Sequence, residues 1–312
     1  MNRPQNELFS AYADHINAAY PGFLARMGYG HRAKRAKGCW ITASNGNRYL
    51  DCISGYGLFS LGHHHPEIVS SLRKTLEAEP LLTRPLIVKE QVDTALDLNR
   101  ICPGELSNSF MCNSGSEAVD TAIKLARFHT GKSRIVCAEK SFHGYTFGAL
   151  SASGIEAFKS GFRPLVPDMV HAAYGDPGEI EKLLDENTAA VLLEPVQHEA
   201  GITVPPADYF QKVKKMCEDC GALLILDEIK TGLGRTGRMF GCDHFDVVPD
   251  VMVLGKTLGG GLLPAGAVVA SKKIWKRTGY SFSLFASSFA GNTLVCAVAS
   301  AVLHVLEKDG IV

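Results

Sequence analysis

ALLILDE, residues 222–228, decides the reading: an unbroken apolar run that closes on two acids. A run without in-out alternation makes a strand only where both faces of its sheet are covered. Outward from it the pattern repeats, in AAVLLEP (189–195) and RIVCAE (134–139) on one side and in VMVLG (251–255) and AGAVVAS (265–271) on the other. Amphipathic patterns at 115–130 and 206–220 fall between some of these runs and predict helices. The alternation predicts an α/β domain on a mostly parallel central sheet, with helices on both faces. Ligands of such sheets sit beyond the carboxyl ends of the strands, so residues just after strands or at helix starts are the informative ones.

Residues 1–53 read differently, as an N-terminal arm or small-domain segment: polar, Gly-rich, basic from His31 to Lys37, with a hairpin signal at Asn45-Gly46. Residues 54–312 read as the large domain. There is no internal repeat and no low-complexity linker. With 32 basic and 32 acidic residues the net charge is zero, which gives no reason to expect nucleic acid or a membrane surface as partner. No apolar run would span a bilayer, and the N-terminus lacks the apolar core of a signal peptide. Nine scattered cysteines suggest a reducing compartment, most simply the cytoplasm. Cys217 and Cys220 form the one CxxC, on an amphipathic helix ending at Gly221, where two ordinary helix residues are expected rather than a metal or redox pair. His63-His64-His65 sits in a turn before a helix with no second ligand cluster, so no metal is expected.

Four places carry chemistry. In NSGSEAVDTAIKLARFHTG (113–131), Ser114 and Glu117 have capping-box spacing, which starts a helix at Gly115 and stops it at Gly131. Gly115 and Ser116 then present backbone N–H groups and a hydroxyl at the positive end of the helix, suited to an anion or simply to the cap. Asp227 closes an apolar strand, where a buried carboxylate needs a cation such as a protonated ring nitrogen, or serves as a cap or loop ion pair. Lys256 directly follows the strand 251–255 and precedes a glycine run at 259–261; a desolvated lysine becomes nucleophilic, whereas one at the surface does not. Phe142 and His143, after the strand 134–139, could stack on a planar ring or merely pack.

Taken in order, these features resemble the class III (ornithine and ω-amino acid) aminotransferases of pyridoxal 5′-phosphate (PLP) fold type I. The matching stretches are YLDCISGYGLFSLGHHHPEI, NSGSEAVDTAIKLAR, SFHGYTFGALSASG, LLEPVQHEAG, LLILDEIKTGLGRTG, PDVMVLGKTLGGGLLPAGAVV and SSFAGNTLVCAVA, between about residues 38 and 308. The resemblance implies that Lys256 carries the cofactor as a Schiff base and then moves protons, and that Asp227 keeps the pyridine nitrogen protonated. It implies further that Gly115 and Ser116 hold the phosphate, that Phe142 stacks on the ring with His143 beside it, and that Ser288 reaches the phosphate of a neighbouring subunit in a homodimer. Glu199 matches a glutamate that can pair with a carboxylate-binding arginine, and Tyr56, Tyr145 and Ser287 fall where the substrate pocket is lined.

Four departures follow from the same resemblance. Lys230 stands where the family has a glutamine that contacts the cofactor's phenolic oxygen. A cation there should favour the phenolate and lower the pKa of the lysine-bound imine. Spectral titration of Lys230→Gln tests this hypothesis: the pKa is expected to rise, and an unchanged value would sink the idea. Tyr145 replaces the arginine of acetylornithine-specific members, and Thr293 a frequent proline. The resemblance also implies a C-terminal small domain with a carboxylate-binding arginine, which is not expected within a sequence that runs to Val312, soon after a helix expected over 289–308. The chain is then a fragment of a longer protein, a shortened chain that needs a partner, or no longer a working enzyme. The sequence therefore predicts an aminotransferase that moves an amino group from an amine, diamine or ω-amino acid to a 2-oxo acid. Another fold type I activity (aminomutase or decarboxylase) and a truncated non-catalytic interaction module are the alternatives. A dinucleotide-binding oxidoreductase is remote, because no GxGxxG follows the first strand.

Overall fold

The structure is a computed structural model and describes residues 5–78, 80–82, 86–279, 284–308 and 310–312. The chain divides into two compact units, one ending at His65 and the other running from Pro66 to Val312.

The first unit holds helices Gln5–His15 and Tyr20–Arg26 and a three-stranded antiparallel sheet of β1 (Ala33–Lys37), β2 (Trp40–Ala43) and β3 (Arg48–Leu50). The β2–β3 hairpin turns at Asn45-Gly46 as expected: Ala43 N–H donates to Asn47 O at 2.8 Å, and Asn45 Oδ1 accepts the N–H of Asn47 at 3.0 Å. The boundary falls after His65 rather than after residue 53, because the intervening segment is tied back to these strands. Gly38 and His63 exchange backbone hydrogen bonds of 2.9 and 2.8 Å, and His63 Nε2 lies 2.8 Å from Asp51 Oδ2. The first of the three histidines is thus a partner of a carboxylate. Among the described residues, no group of three or more His, Cys, Asp or Glu is placed to hold a metal ion.

The second unit is built on seven strands: β4 (Asn108–Cys112), β5 (Arg134–Ala138), β6 (Met169–Ala172), β7 (Thr188–Leu193), β8 (Leu223–Asp227), β9 (Val251–Leu254) and β10 (Gly266–Ala270). Their order is β4-β10-β9-β8-β7-β5-β6, parallel throughout except that β10 runs antiparallel to both β9 and β4. Every residue of β7, β8, β9 and β10 is buried, which requires cover on both faces. Helix Gly115–Thr130 lies across β4, β10, β9, β8 and β7, and helix Tyr209–Cys220 packs on β7 and β8. Val119 and Ile123 of the former join Ile225, Val253 and Val268 in one core. Each such aliphatic side chain contributes about 1.5–3 kcal/mol by leaving water, so the strand ends stand on a rigid base.

Two strands had no sequence signal. β4 and β6 are the edges of the sheet, short and mostly half-buried, and an edge needs no continuous apolar run. Two helices start later than expected. The one predicted from 206 begins at Tyr209, and the one predicted from 289 begins at Thr293, where Asn292 Oδ1 caps it by accepting the N–H of Val295 at 3.0 Å. All nine cysteines are free thiols, and Cys220 of the CxxC merely donates to Cys217 O. Among the described residues no helix is long and apolar enough to cross a membrane.

Candidate active site

Sheet register assembles the site. Leu193 pairs with Leu226, and Asp227 with Val253, so the next residues of β7, β8 and β9 emerge side by side at one carboxyl edge. There stand Glu194, Asp227 and, two residues beyond β9, Lys256. Asp227 is 4% exposed. Its Oδ1 accepts the N–H of Ile229 at 3.0 Å, and its Oδ2 lies 2.7 Å from His143 Nδ1. Burial alone would pull the His143 imidazole down, but the hydrogen bond and charge of Asp227 and the charge of Glu194 outweigh it and raise its pKa.

Lys256 is half-buried, with a left-handed backbone (φ +42°) that non-glycine residues adopt only where their surroundings impose it. Burial draws its ammonium below the ordinary lysine range, helped by Arg235 and opposed by Asp227, Glu194 and Glu199. A larger share of neutral amine is what a nucleophilic lysine needs. The glycines after it do not form a flexible run: Gly259 and Gly260 are buried in a turn packed against helices Pro66–Ala78 and Thr293–Lys308.

The helix start forms the second side of the site. Ser114 Oγ accepts the N–H of Glu117 at 3.2 Å, and the Glu117 carboxylate takes the N–H of Asn113 at 2.7 Å, one residue earlier than a standard capping box. The first-turn N–H groups of Gly115 and Ser116 have no intrahelical acceptor. A Cβ on Gly255 would lie 3.4 Å from Gly115 Cα and 3.3 Å from Ile229 Cγ2, so the residue preceding Lys256 sits directly against the helix start. Gly144 closes the rim: a Cβ there would fall 2.1 Å from Ser116 Oγ, which itself accepts the N–H of Tyr145 at 3.1 Å.

The remaining predicted residues are distributed as follows. Phe142 is half-buried and meets the rings of Tyr145 and Phe158 edge-on at 5.2 and 5.8 Å. Tyr145 is 72% exposed at the outer side of that cluster. Lys230 follows Ile229 and is half-buried; burial first, then the charges of Lys256 and Arg235, bring its ammonium down to about 8 against the pull of Glu199. Glu199 is exposed and pairs with His198 Nδ1 at 3.1 Å. Ser287 accepts from Asn113 Nδ2 at 2.8 Å, beside the helix start, whereas Ser288 is exposed. Tyr56 belongs to the first unit, is 74% exposed and has a left-handed backbone.

Glu194 was not singled out from the sequence, although its signal matched that of Asp227: an acid directly after a fully apolar strand. It is 4% exposed, accepts the N–H of Phe142 at 3.2 Å, and burial pushes its carboxyl up to about 7. Glu228 shows where the same signal leads elsewhere. It is fully buried, yet it is satisfied by Gly241 N–H, Cys242 N–H and Thr231 Oγ1. It fastens a loop and takes no part in the site.

A mostly parallel sheet with a buried acid at one strand end and a desolvated lysine just beyond the next is the frame of a fold type I PLP enzyme, and comparison with known proteins narrows it. Residues 26–312 match the family model of class III aminotransferases. Putrescine aminotransferase of Pectobacterium atrosepticum is 39% identical over 317 aligned positions, covering 96% of this chain and 67% of that protein. Ornithine aminotransferase of Toxoplasma gondii superposes with a TM-score of 0.90 at 29% identity, over 99% of this chain and 73% of that one. An (S)-enantioselective ω-transaminase of Thermomicrobium roseum gives 0.91 at 27%, over 99% and 76%. The chain belongs to the class III aminotransferase family. Its activity is PLP-dependent amino transfer.

The residues present fit that cofactor. Asp227, with one partner on each oxygen, keeps lone pairs for a ring nitrogen. The unpaired N–H groups of the first helical turn and the Ser116 hydroxyl suit a phosphate, and the depressed amine of Lys256 suits an aldehyde.

Proposed function

We propose that this aminotransferase takes the amino group of a terminal amine, diamine or ω-amino acid and passes it to a 2-oxo acid, as a cytoplasmic homodimer. The observation that carries the catalytic part is the register of β8 and β9, which brings a desolvated lysine to the same sheet edge as a buried, hydrogen-bonded carboxylate. When bound, PLP supplies an aldehyde for amines and a protonated ring that withdraws electrons. Lys256 Nζ would hold the cofactor, then take the proton from the amine-bearing carbon of the donor and return it on the far side of the transfer. Asp227, held by His143, would keep the ring nitrogen protonated. Gly115 and Ser116 would bind the phosphate, joined by Ser288 of a second copy, and Phe142 would cover the ring and exclude water from one face.

Donor choice rests on Glu199, whose exposed carboxylate can pair with the distal ammonium of a diamine, and on the similarity to a putrescine aminotransferase. Tyr145 and Ser287 would line the space between. Lys230 would stand at the cofactor's phenolic oxygen and favour its phenolate form. The test is a pair of half-reactions followed by absorption of the bound cofactor. Putrescine or ornithine is expected to convert the lysine-bound band to the aminated form within minutes, and 2-oxoglutarate or pyruvate to restore it. A cofactor-loaded protein that responds to no amine, or that releases carbon dioxide instead, would refute the reading.

A further inference from the structure

Asp227 pairs with His143, and a third buried titratable side chain, Glu194, stands on the adjoining strand with no role assigned to it above. Glu194 follows β7 as Asp227 closes β8, and the Leu193–Leu226 pairing sets the two acids side by side. His143 arrives from the turn after β5, fully buried, with Nδ1 2.7 Å from Asp227 Oδ2. Glu194 Oε2 accepts the N–H of Phe142, the residue next to His143, at 3.2 Å. His143 Nε2 is buried and has no hydrogen-bond partner.

Two carboxyls fixed by a sheet in a dry site repel each other unless a proton or a cation stands with them. Imidazolium is the group placed to supply that charge, through the Nδ1 that faces Asp227 Oδ2. We propose that Glu194 is a positioning residue for transamination: its carboxyl keeps His143 an imidazolium, and the imidazolium in turn holds Asp227 as a fixed anion for the ring nitrogen of the cofactor. The proposal rests on the role given above to Asp227.

The charged groups around His143 are few. Asp227 faces it from β8, Glu194 from the end of β7 and His171 from β6, while Lys256, beyond β9, acts on both acids. Burial draws His171 below its ordinary range, and Lys256 is not among the charges that act on His143. The two acids therefore dominate, and removing the charge of either should let the ring lose its proton more easily.

The experiment is a pH titration by NMR of the full chain labelled with ¹⁵N-histidine, both loaded with cofactor and stripped of it by hydroxylamine. His143 is identified by its absence in His143→Asn. The wild-type ring is expected to be cationic above pH 7. In Glu194→Gln, whose amide oxygen still accepts the N–H of Phe142, it should titrate about one unit or more lower, which is a tenfold loss of the cation at fixed pH. In the same variant kcat should fall roughly tenfold while KM for the amine changes less than about twofold. A neutral His143 in the wild type at pH 7 overturns the proposal without any variant. So does a Glu194→Gln ring that titrates like the wild type, because a merely structural brace would survive in that variant. Failure of the aminotransferase reading would show separately, as wild-type protein without a half-reaction, while the titration of the cofactor-free chain stands on its own.

Discussion

Lys256→Ala is expected to lose amino transfer by about four orders of magnitude or more, with the fold intact. The substitution removes both the amine that would hold the cofactor and the base that would move the substrate proton, and the two losses fall on one reaction coordinate. Folding should not suffer, since a buried amine without a full charge partner adds little stability and alanine tolerates the same left-handed backbone no worse than lysine. Lys230 is close enough to raise the question of a substitute. It owes its lowered pKa partly to the charge of Lys256, so once that charge is removed Lys230 drifts back toward an ordinary, protonated and unreactive lysine. Borohydride reduction followed by peptide mapping is the direct check. The wild type should carry its label on Lys256 and the variant none, with melting temperatures within a few degrees of each other. A label on Lys230 in the wild type, or a variant retaining more than about a hundredth of the rate, would remove Lys256 from its place.

What could be read in advance follows from what burial does to sequence. Apart from Thr188 and Asp227 at strand ends, β7, β8, β9 and β10 are apolar because the sheet is covered on both faces there, and they were visible for that reason. β4 and β6 sit at the edges, where half-exposure permits Asn, Ser and His, and no run of residues marks them. The helix at Gly115–Thr130 was legible to the residue because both ends are punctuated, by Ser114 and by Gly131 at φ +72°. The ends at 206 and 289 were not, since nothing in their spacing distinguishes a turn from a first helical turn. Among the site residues, Asp227 and Lys256 were legible as polar groups directly after apolar strands. Glu194 carried the same mark and was passed over, because only the register of β7 against β8 reveals which strand-end acids face each other. That pairing is a long-range property that no local pattern encodes.

Asp227→Asn is expected to lower kcat about a hundred- to a thousandfold while the chain still folds. The amide keeps nearly the same shape and can still accept the N–H of Ile229, so the turn after β8 should hold. What changes is charge. A neutral amide cannot keep a ring nitrogen protonated, and its NH₂ can meet His143 Nδ1 only if the imidazole gives up the proton now shared with Asp227. The substitution thus removes one anion and also neutralises the cation that depended on it, which is why the effect should exceed that of Glu194→Gln, where Asp227 remains. The adjacent acid supplies the control. Glu228→Gln replaces a carboxylate that accepts from Gly241, Cys242 and Thr231, so at least one donor loses its match and the protein should be destabilised by roughly 1–3 kcal/mol. Its kcat should stay within a fewfold of the wild type at temperatures where it is folded. Steady-state kinetics and thermal melts on the two variants separate the cases: kinetic loss with little change in melting for residue 227, melting loss with little kinetic change for residue 228. Asp227→Asn turning over within about threefold of the wild type would mean that the charge at this strand end does not serve the ring. The buried pair with His143 would then be an element of folding alone.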